Sequence, residues 1–275
     1  MNYLASLRLE QEPFSTNPDP AFFYKSAKHI SALNHLEIAV RLKRGLSLVL
    51  GDVGTGKTTL CRTLIQAFEG DSDDFIFHII LDPSFKSENL FYAHLTKIFG
   101  ISPFFRSTID YRDAIEKYLF KKCVDEKKTV VLVIDEGQKL KKEHLEILRT
   151  LLNYETNDQK LLQLIIFAQL ELMPKIEPIK NFLDRITLKY MLKPFDEYET
   201  GQMIEFRLRK AGYTAPASLF TSDAVKTIYQ YTKGYPRQIA RVCHNALELL
   251  IMNEGRSISG EIINDVIQQD KTWDL

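Results

Sequence analysis

A chain of 275 residues has room for one large domain and one small one, and 45% hydrophobic with 26% charged content is globular, not disordered. Lys+Arg and Asp+Glu balance at 36 each, which excludes a global field able to recruit nucleic acid or an acidic membrane surface. Three widely spaced cysteines suit buried thiols in a reducing compartment, no signal-peptide core follows Met1, and no apolar run approaches the roughly 20 residues that span a bilayer. A soluble, cytoplasmic protein without direct membrane insertion is predicted.

In chain order, residues 1–28 are dense in proline and aromatic residues (Pro13, Phe14, Pro18, Pro20, Phe22, Phe23, Tyr24), which predicts a non-helical arm lying over the domain. Leu33, Leu36, Ile38 and Val40 predict a helix from Ser31 to Arg44. The apolar run Leu46 to Leu50 reads as a buried strand, followed by a glycine turn and a helix to about Phe68. A strand over Phe75–Leu81, a helix from Ser87 (its N-cap) to Phe99 and another from Asp110 to Glu126 come next. Val130–Ile134 reads as a central strand, Lys141–Leu152 as a helix, Leu161–Ala168 as a buried strand and Thr187–Leu192 as a shorter one. Strands alternating with helices imply a parallel sheet covered on both faces. Past Phe195 only helices are expected: Asp196–Ala211, Ser222–Tyr231, Arg237–Asn253 and Ser259–Gln269. The fold class is α/β, a P-loop three-layer parallel sheet followed by a small all-helical lid. The expected division is an arm at 1–28, a nucleotide-binding domain at 29–195 and a lid at 196–275.

Two motifs carry chemistry. Gly51, Asp52, Val53, Gly54, Thr55, Gly56, Lys57, Thr58 and Thr59 fit the P-loop pattern, in which a glycine turn lets backbone N–H groups converge on phosphate oxygens at a helix N-terminus. Lys57 is the charge for the β- and γ-phosphates and the Thr58 hydroxyl a magnesium ligand. The second motif is Asp135–Glu136 at the end of the Val130 strand, where open α/β sheets bind ligands. Asp135 would hold Mg²⁺, directly or through water, and Glu136 would polarise the water that attacks the γ-phosphate. ATP and Mg²⁺ are the implied ligands, and ATP hydrolysis the implied reaction.

The chain resembles AAA+ ATPases of the ExeA/GspA type, a group similar to TniB- and TnsC-like transposition ATPases. The resemblance runs through Pro13–Phe14, Pro18–Pro20, the P-loop, the Asp135–Gln138 segment, Asn153–Thr156, Gln169, Arg185–Ile186 and Gly234–Arg237. It implies that Gln169 is the sensor-1 residue orienting the attacking water and that Arg237 is the sensor-2 arginine reaching the γ-phosphate. It also implies an arginine finger at Arg185, with Arg149 as the rival, acting in a neighbouring subunit's site. The nucleotide is expected between sheet domain and lid, with Phe14 and Pro18–Pro20 either closing the adenine side or only packing the arm onto the core.

The resemblance further implies a homo-oligomer, ring or filament, that assembles or energises an envelope machine such as secretion, pilus or polysaccharide export. Family members of this type often run on into a membrane segment, so a chain stopping at Leu275 is expected either to work through a membrane-associated protein partner or to be a shortened form. The alternatives are a DNA-associated ATPase of a mobile element and a slow nucleotide-gated switch. DNA is possible but not favoured: residues 196–275 hold nine basic and eleven acidic side chains, a net of −2. Lys139, Lys141 and Lys142 could touch DNA at a pore, but a short lysine run is more often a solvated helix start.

Overall fold

The computed structural model describes Leu4, Leu7, residues 9–101 and residues 107–273. Positions 1–3, 5, 6 and 8 of the expected arm and the last two of the expected lid lie outside the described residues. The chain forms two compact units. One comprises Lys28–Val53 and Leu60–Leu192; the other comprises Met1–Ala27, Gly54–Thr59 and Lys193–Leu275.

The first unit is built on a five-stranded sheet of β1 (Leu46–Leu50), β2 (Phe75–Ile80), β3 (Thr129–Ile134), β4 (Leu162–Ala168) and β5 (Ile186–Met191). All pairings are parallel, in the order β2-β3-β4-β1-β5. Burial follows from that order. The three central strands are buried along their whole length, which is why they read as largely apolar runs interrupted only by the buried Ser47, Thr129 and Gln163, while edge strand β5 alternates and turns Thr187 and Lys189 outward.

Helices α1 (Ala27–Arg41), α2 (Lys57–Ala67), α3 (Glu88–Ile98), α4 (Thr108–Phe120) and α5 (Lys142–Leu151) intervene, with two single turns, α6 (Met173–Ile176) and α7 (Lys180–Leu183), before β5. Ser87 caps α3 by accepting the Leu90 N–H, as its position predicts. Two expectations need correction. Helix α1 begins four residues early, at Ala27, and its buried stripe is His29, Ala32, Leu36, Ala39 and Val40, so Ile38 faces out at 52% exposure. The helix expected to reach Glu126 stops being regular at Phe120 and finishes in a π-turn, Lys121–Asp125, that buries Cys123.

The second unit carries α8 (Glu197–Lys210), α9 (Ser222–Thr232), α10 (Pro236–Met252) and α11 (Gly260–Trp273). Asp196 closes a capping box with Glu199 at the start of α8. Leu4 is helical, which departs from the expected non-helical arm; residues 9–26 carry no regular element apart from one 3₁₀ turn, Pro20–Phe22, and are held by the helices of this unit. Arg207 of α8 donates to the carbonyls of Phe22 (3.1 Å), Ser15 (3.0 Å) and Pro13 (3.4 Å). Phe14 lies in the helical core, 1% exposed, edge-on to Phe220 at 5.8 Å between ring centroids. That overturns the expectation that Phe14 supplies a surface for adenine: protein atoms already cover both faces of its ring.

Candidate active site

The site starts where β1 ends. The Gly51 N–H donates to the Ala168 carbonyl at 3.1 Å, so the chain stays tied to β4 as it enters the glycine turn. Gly54 and Gly56 then take φ of +80° and +94°, in the left-handed region where a side chain costs roughly 1–2 kcal/mol. Lys57 opens α2. Thr55 and Lys57 are buried, Gly54, Gly56, Thr58 and Thr59 half-buried, and Asp52 and Val53 exposed. A left-handed glycine turn delivering a lysine to the first turn of an eleven-residue helix suits a phosphate chain.

The acid pair is built on neighbouring strand ends. β4 lies between β1 and β3, so Gln169, immediately after β4, sits beside the carboxyl ends of both the P-loop strand and the Asp135 strand. Asp135 is 3% exposed, and its backbone N–H donates to Ile80 O at 2.8 Å. Its Oδ1 accepts the Glu136 N–H at 2.9 Å. Glu136 takes φ 53°, ψ 35°, a left-handed conformation uncommon for a residue with a side chain and concentrated at functional sites. Gly137 is needed next because a Cβ there would lie 2.4 Å from Ile166 Cγ2.

One residue that the sequence left without a role connects this cluster. Gln138 donates through Nε2 to the Glu136 carboxylate at 2.7 Å and accepts the Gln169 N–H on Oε1 at 3.1 Å. The acid is therefore oriented by a side-chain amide anchored on the end of β4. In the sequence Gln138 stood out only as the last residue of the Asp135–Gln138 segment, and that position says nothing about which way an amide points. The Gln169 side chain makes no hydrogen bond to any described residue. Lys175 braces the loop from below, donating to the carbonyls of Gln138 and Leu140.

Burial raises the Cys61 thiol to about 12, and the negative Asp135 adds to the shift. Cys123 and Cys243 are also buried thiols pushed upward by desolvation, so none of the three has the thiolate character of a nucleophile.

Arg237 lies in the first turn of α10, exposed, after Pro236 at the first helical position. Its backbone N–H donates to the Gly54 carbonyl at 3.2 Å, and its guanidinium makes no hydrogen bond or ion pair with a described residue. The two finger candidates differ in their engagement. Arg149 is paired with Glu146 at 2.7 Å, whereas Arg185 donates to Leu152 O at 3.4 Å and leaves its buried Nε without an acceptor. In the lysine cluster, Lys139 pairs with Asp82 at 3.2 Å and Lys141 donates to the Lys86 carbonyl.

Thr58 and Asp135 each offer a hard oxygen donor, the ligand type that suits Mg²⁺, which draws its remaining ligands from phosphate and water. Among the described residues no helix is long and apolar enough to cross a membrane.

A parallel sheet in this strand order, with a P-loop leaving β1 and an acid pair leaving β3, defines an AAA+ P-loop protein. A family profile described as "AAA domain" matches residues 40–176. The chain belongs with the AAA+ ATPases of the ExeA/GspA type: it is 34% identical over 254 residues to general secretion pathway protein A of Aeromonas hydrophila, covering 89% of this chain. It spans 44% of that relative's length. Solved structures agree on the fold. The ORC2 protein of Aeropyrum pernix, in its ADPNP–ADP complexes, superposes with a TM-score of 0.67 at 14% identity, covering 94% of this chain and 71% of that one. Cdc6p of Pyrobaculum aerophilum gives 0.67 at 16% identity over 94% of this chain and 70% of its own. The RuvB branch-migration motor of Thermotoga maritima gives 0.59 at 16% identity over 90% and 72%.

Proposed function

We propose that this chain hydrolyses ATP with Mg²⁺, using residues 29–195 as the nucleotide-binding domain and 196–275 as its lid, and that it works as a nucleotide-dependent homo-oligomer serving an envelope machine through a membrane-associated partner. The observation that carries hydrolysis, beyond binding, is the Glu136–Gln138–Gln169 chain, because it orients a carboxylate at the carboxyl edge of the sheet.

Residues 51–59 bind the phosphate chain, with Lys57 as its point charge. Thr58 and Asp135 hold Mg²⁺, which neutralises charge on the phosphate oxygens when bound. Glu136 accepts a proton from water as the water oxygen bonds to the γ-phosphorus; the bond to the β–γ bridging oxygen breaks and ADP leaves. Gln169 orients that water. Arg237 forks onto γ-phosphate oxygens, a contact suited to a guanidinium that stays charged. Arg185 acts in a neighbouring copy's site, the more available finger because Arg149 is engaged by Glu146.

The envelope role is supported by the likeness to general secretion pathway protein A. DNA is disfavoured because Lys139 and Lys141 are engaged within the protein and the lid has no basic excess. Parallel measurements of nucleotide binding and phosphate release test the reading. Lys57→Ala is expected to lose ATP affinity, and Glu136→Gln to retain ATP while turnover falls roughly 10²–10⁴-fold. Full turnover by Glu136→Gln would remove that residue from the mechanism.

A further inference from the structure

At the end of the sheet opposite the P-loop, a cavity of about 390 Å³ opens among the amino ends of β1, β4 and β5. Its lining carries three cations, Arg44, Lys160 and Arg185, against a single acid, Asp184. Lys160 also pairs with Glu155 just outside the lining, which leaves the group net positive. The Arg44 guanidinium makes no hydrogen bond or ion pair with any described residue, and the Arg185 Nε is buried without an acceptor among them. Burial lowers the Lys160 ammonium, and the charge of Arg185 lowers it further, so the two cations crowd each other.

The cavity is also a built one. Gln163, 1% exposed, accepts the Gly45 N–H on Oε1 at 2.7 Å and donates to the Lys160 carbonyl at 2.9 Å, tying the residues before β1 and β4 together. The β1–β5 register slips between Leu46 and Ser47, so Thr187 is left as a bulge residue in the cavity wall, its hydroxyl bonded to Leu46 O at 2.9 Å. Bulges of this sort re-aim side chains and cluster beside functional sites. Cations held close together on a rigid frame, one with an unused donor, are matched by a ligand carrying several anionic oxygens, and a guanidinium takes two such oxygens at once.

From this geometry we infer that the cavity is a second phosphate-recognition site, separate from the P-loop, in which Arg44, Lys160 and Arg185 together receive a diphosphate- or triphosphate-bearing ligand. The ligand is a free polyphosphate or nucleotide, and the inference stands without the oligomeric reading above.

Lys57→Ala protein removes the P-loop as a competing site. Pyrophosphate is titrated into this full-length chain without nucleotide and followed by calorimetry. Saturable binding is expected, weakened at least tenfold by Arg44→Ala or Lys160→Ala, unaffected by the surface control Lys97→Ala, and strengthened by Asp184→Asn. Melting temperature, measured for each variant, separates a lost site from a lost fold. No saturable pyrophosphate binding, or binding indifferent to both Arg44→Ala and Lys160→Ala, would overturn the inference. Wild-type ATP turnover in that case would leave the proposed hydrolysis intact.

Discussion

The backbone N–H of Arg237 donates to the carbonyl of Gly54 at 3.2 Å, and a Cβ placed on Gly54 would lie 3.0 Å from the Cβ of Arg237. The glycine turn and the start of α10 are therefore joined at one point within the second unit, and Gly54 has a packing constraint besides its φ of +80°. Gly54→Ala should cost about 1–2 kcal/mol from the left-handed backbone alone. A lower melting temperature and weaker nucleotide binding are expected together. A variant with native ATP affinity would show that the turn absorbs the methyl group without moving.

Gln138→Ala removes the amide that orients Glu136 while leaving the acid in place. A hydrogen bond to a charged group contributes about 1.5–3 kcal/mol, so turnover should fall roughly tenfold or more with ATP affinity little changed. Steady-state phosphate release at saturating ATP checks this. Turnover equal to wild type would mean that Glu136 finds its orientation elsewhere.

The proposed supply of Arg185 in trans is open to a mixing experiment. Arg185→Ala chains keep a complete P-loop but lack the finger; Lys57→Ala chains keep the finger but lack a working site. Mixed, they should recover activity that neither has alone, because related fingers raise turnover by about 10³–10⁵. A head-to-tail contact of this kind closes into rings or extends into filaments, so ATP should also raise the sedimentation rate. An ATP-saturated protein that stays monomeric and hydrolyses at full rate would exclude the trans arrangement.

Gly234 tolerates no side chain. Its φ is +78°, the Phe195 N–H donates to its carbonyl at 2.9 Å, and an added Cβ would meet Phe195 O at 1.9 Å, a backbone atom that cannot swing aside. Gly234→Ala should destabilise the helical unit by about 4 kcal/mol or more, among the largest single-residue effects. Gly70, with nothing within 4 Å of an added Cβ, is the control, and its change to Ala should stay within about 0.5 kcal/mol. Urea unfolding of both variants makes the comparison.

His78 gives the fold a pH dependence of definite sign. Desolvation lowers its pKa from 6.5 to about 4, and its Nε2 lies 2.9 Å from the Tyr118 hydroxyl. The unfolded chain then binds the proton more readily than the native one, so this contribution to stability is complete above pH 6.5 and is lost as pH falls toward 4. His94 and His144 shift in the same direction through burial. The difference in melting temperature between wild type and His78→Phe, followed from pH 7 to pH 4, isolates the single residue. The wild type should lose more than the variant over that range, and parallel curves would place the pH dependence on other groups.

By itself the sequence determined the elements and the chemistry carried within one short segment. The glycine turn at 51–59 and the Asp135–Glu136 pair are local patterns, and apolar runs report burial wherever a strand is covered on both faces, as in β1, β3 and β4. Helical periodicity erred where it could not see its surroundings: Ile38 fits the spacing of a buried stripe, yet it is exposed. Only the tertiary structure decided contacts between residues far apart in the chain. Strand order put Gln169 beside Asp135, and an amide at Gln138 joined Glu136 to β4. Arg207 spent its donors on three carbonyls nearly two hundred residues away, and with the arm so held Phe14 entered the helical core instead of meeting a ligand. The cations before β1, β4 and β5 are scattered between positions 44 and 185 and become one cavity because parallel strands bring their amino ends to a common edge. Side-chain type and spacing encode what a residue is able to do, but packing across long loops decides which partner it meets.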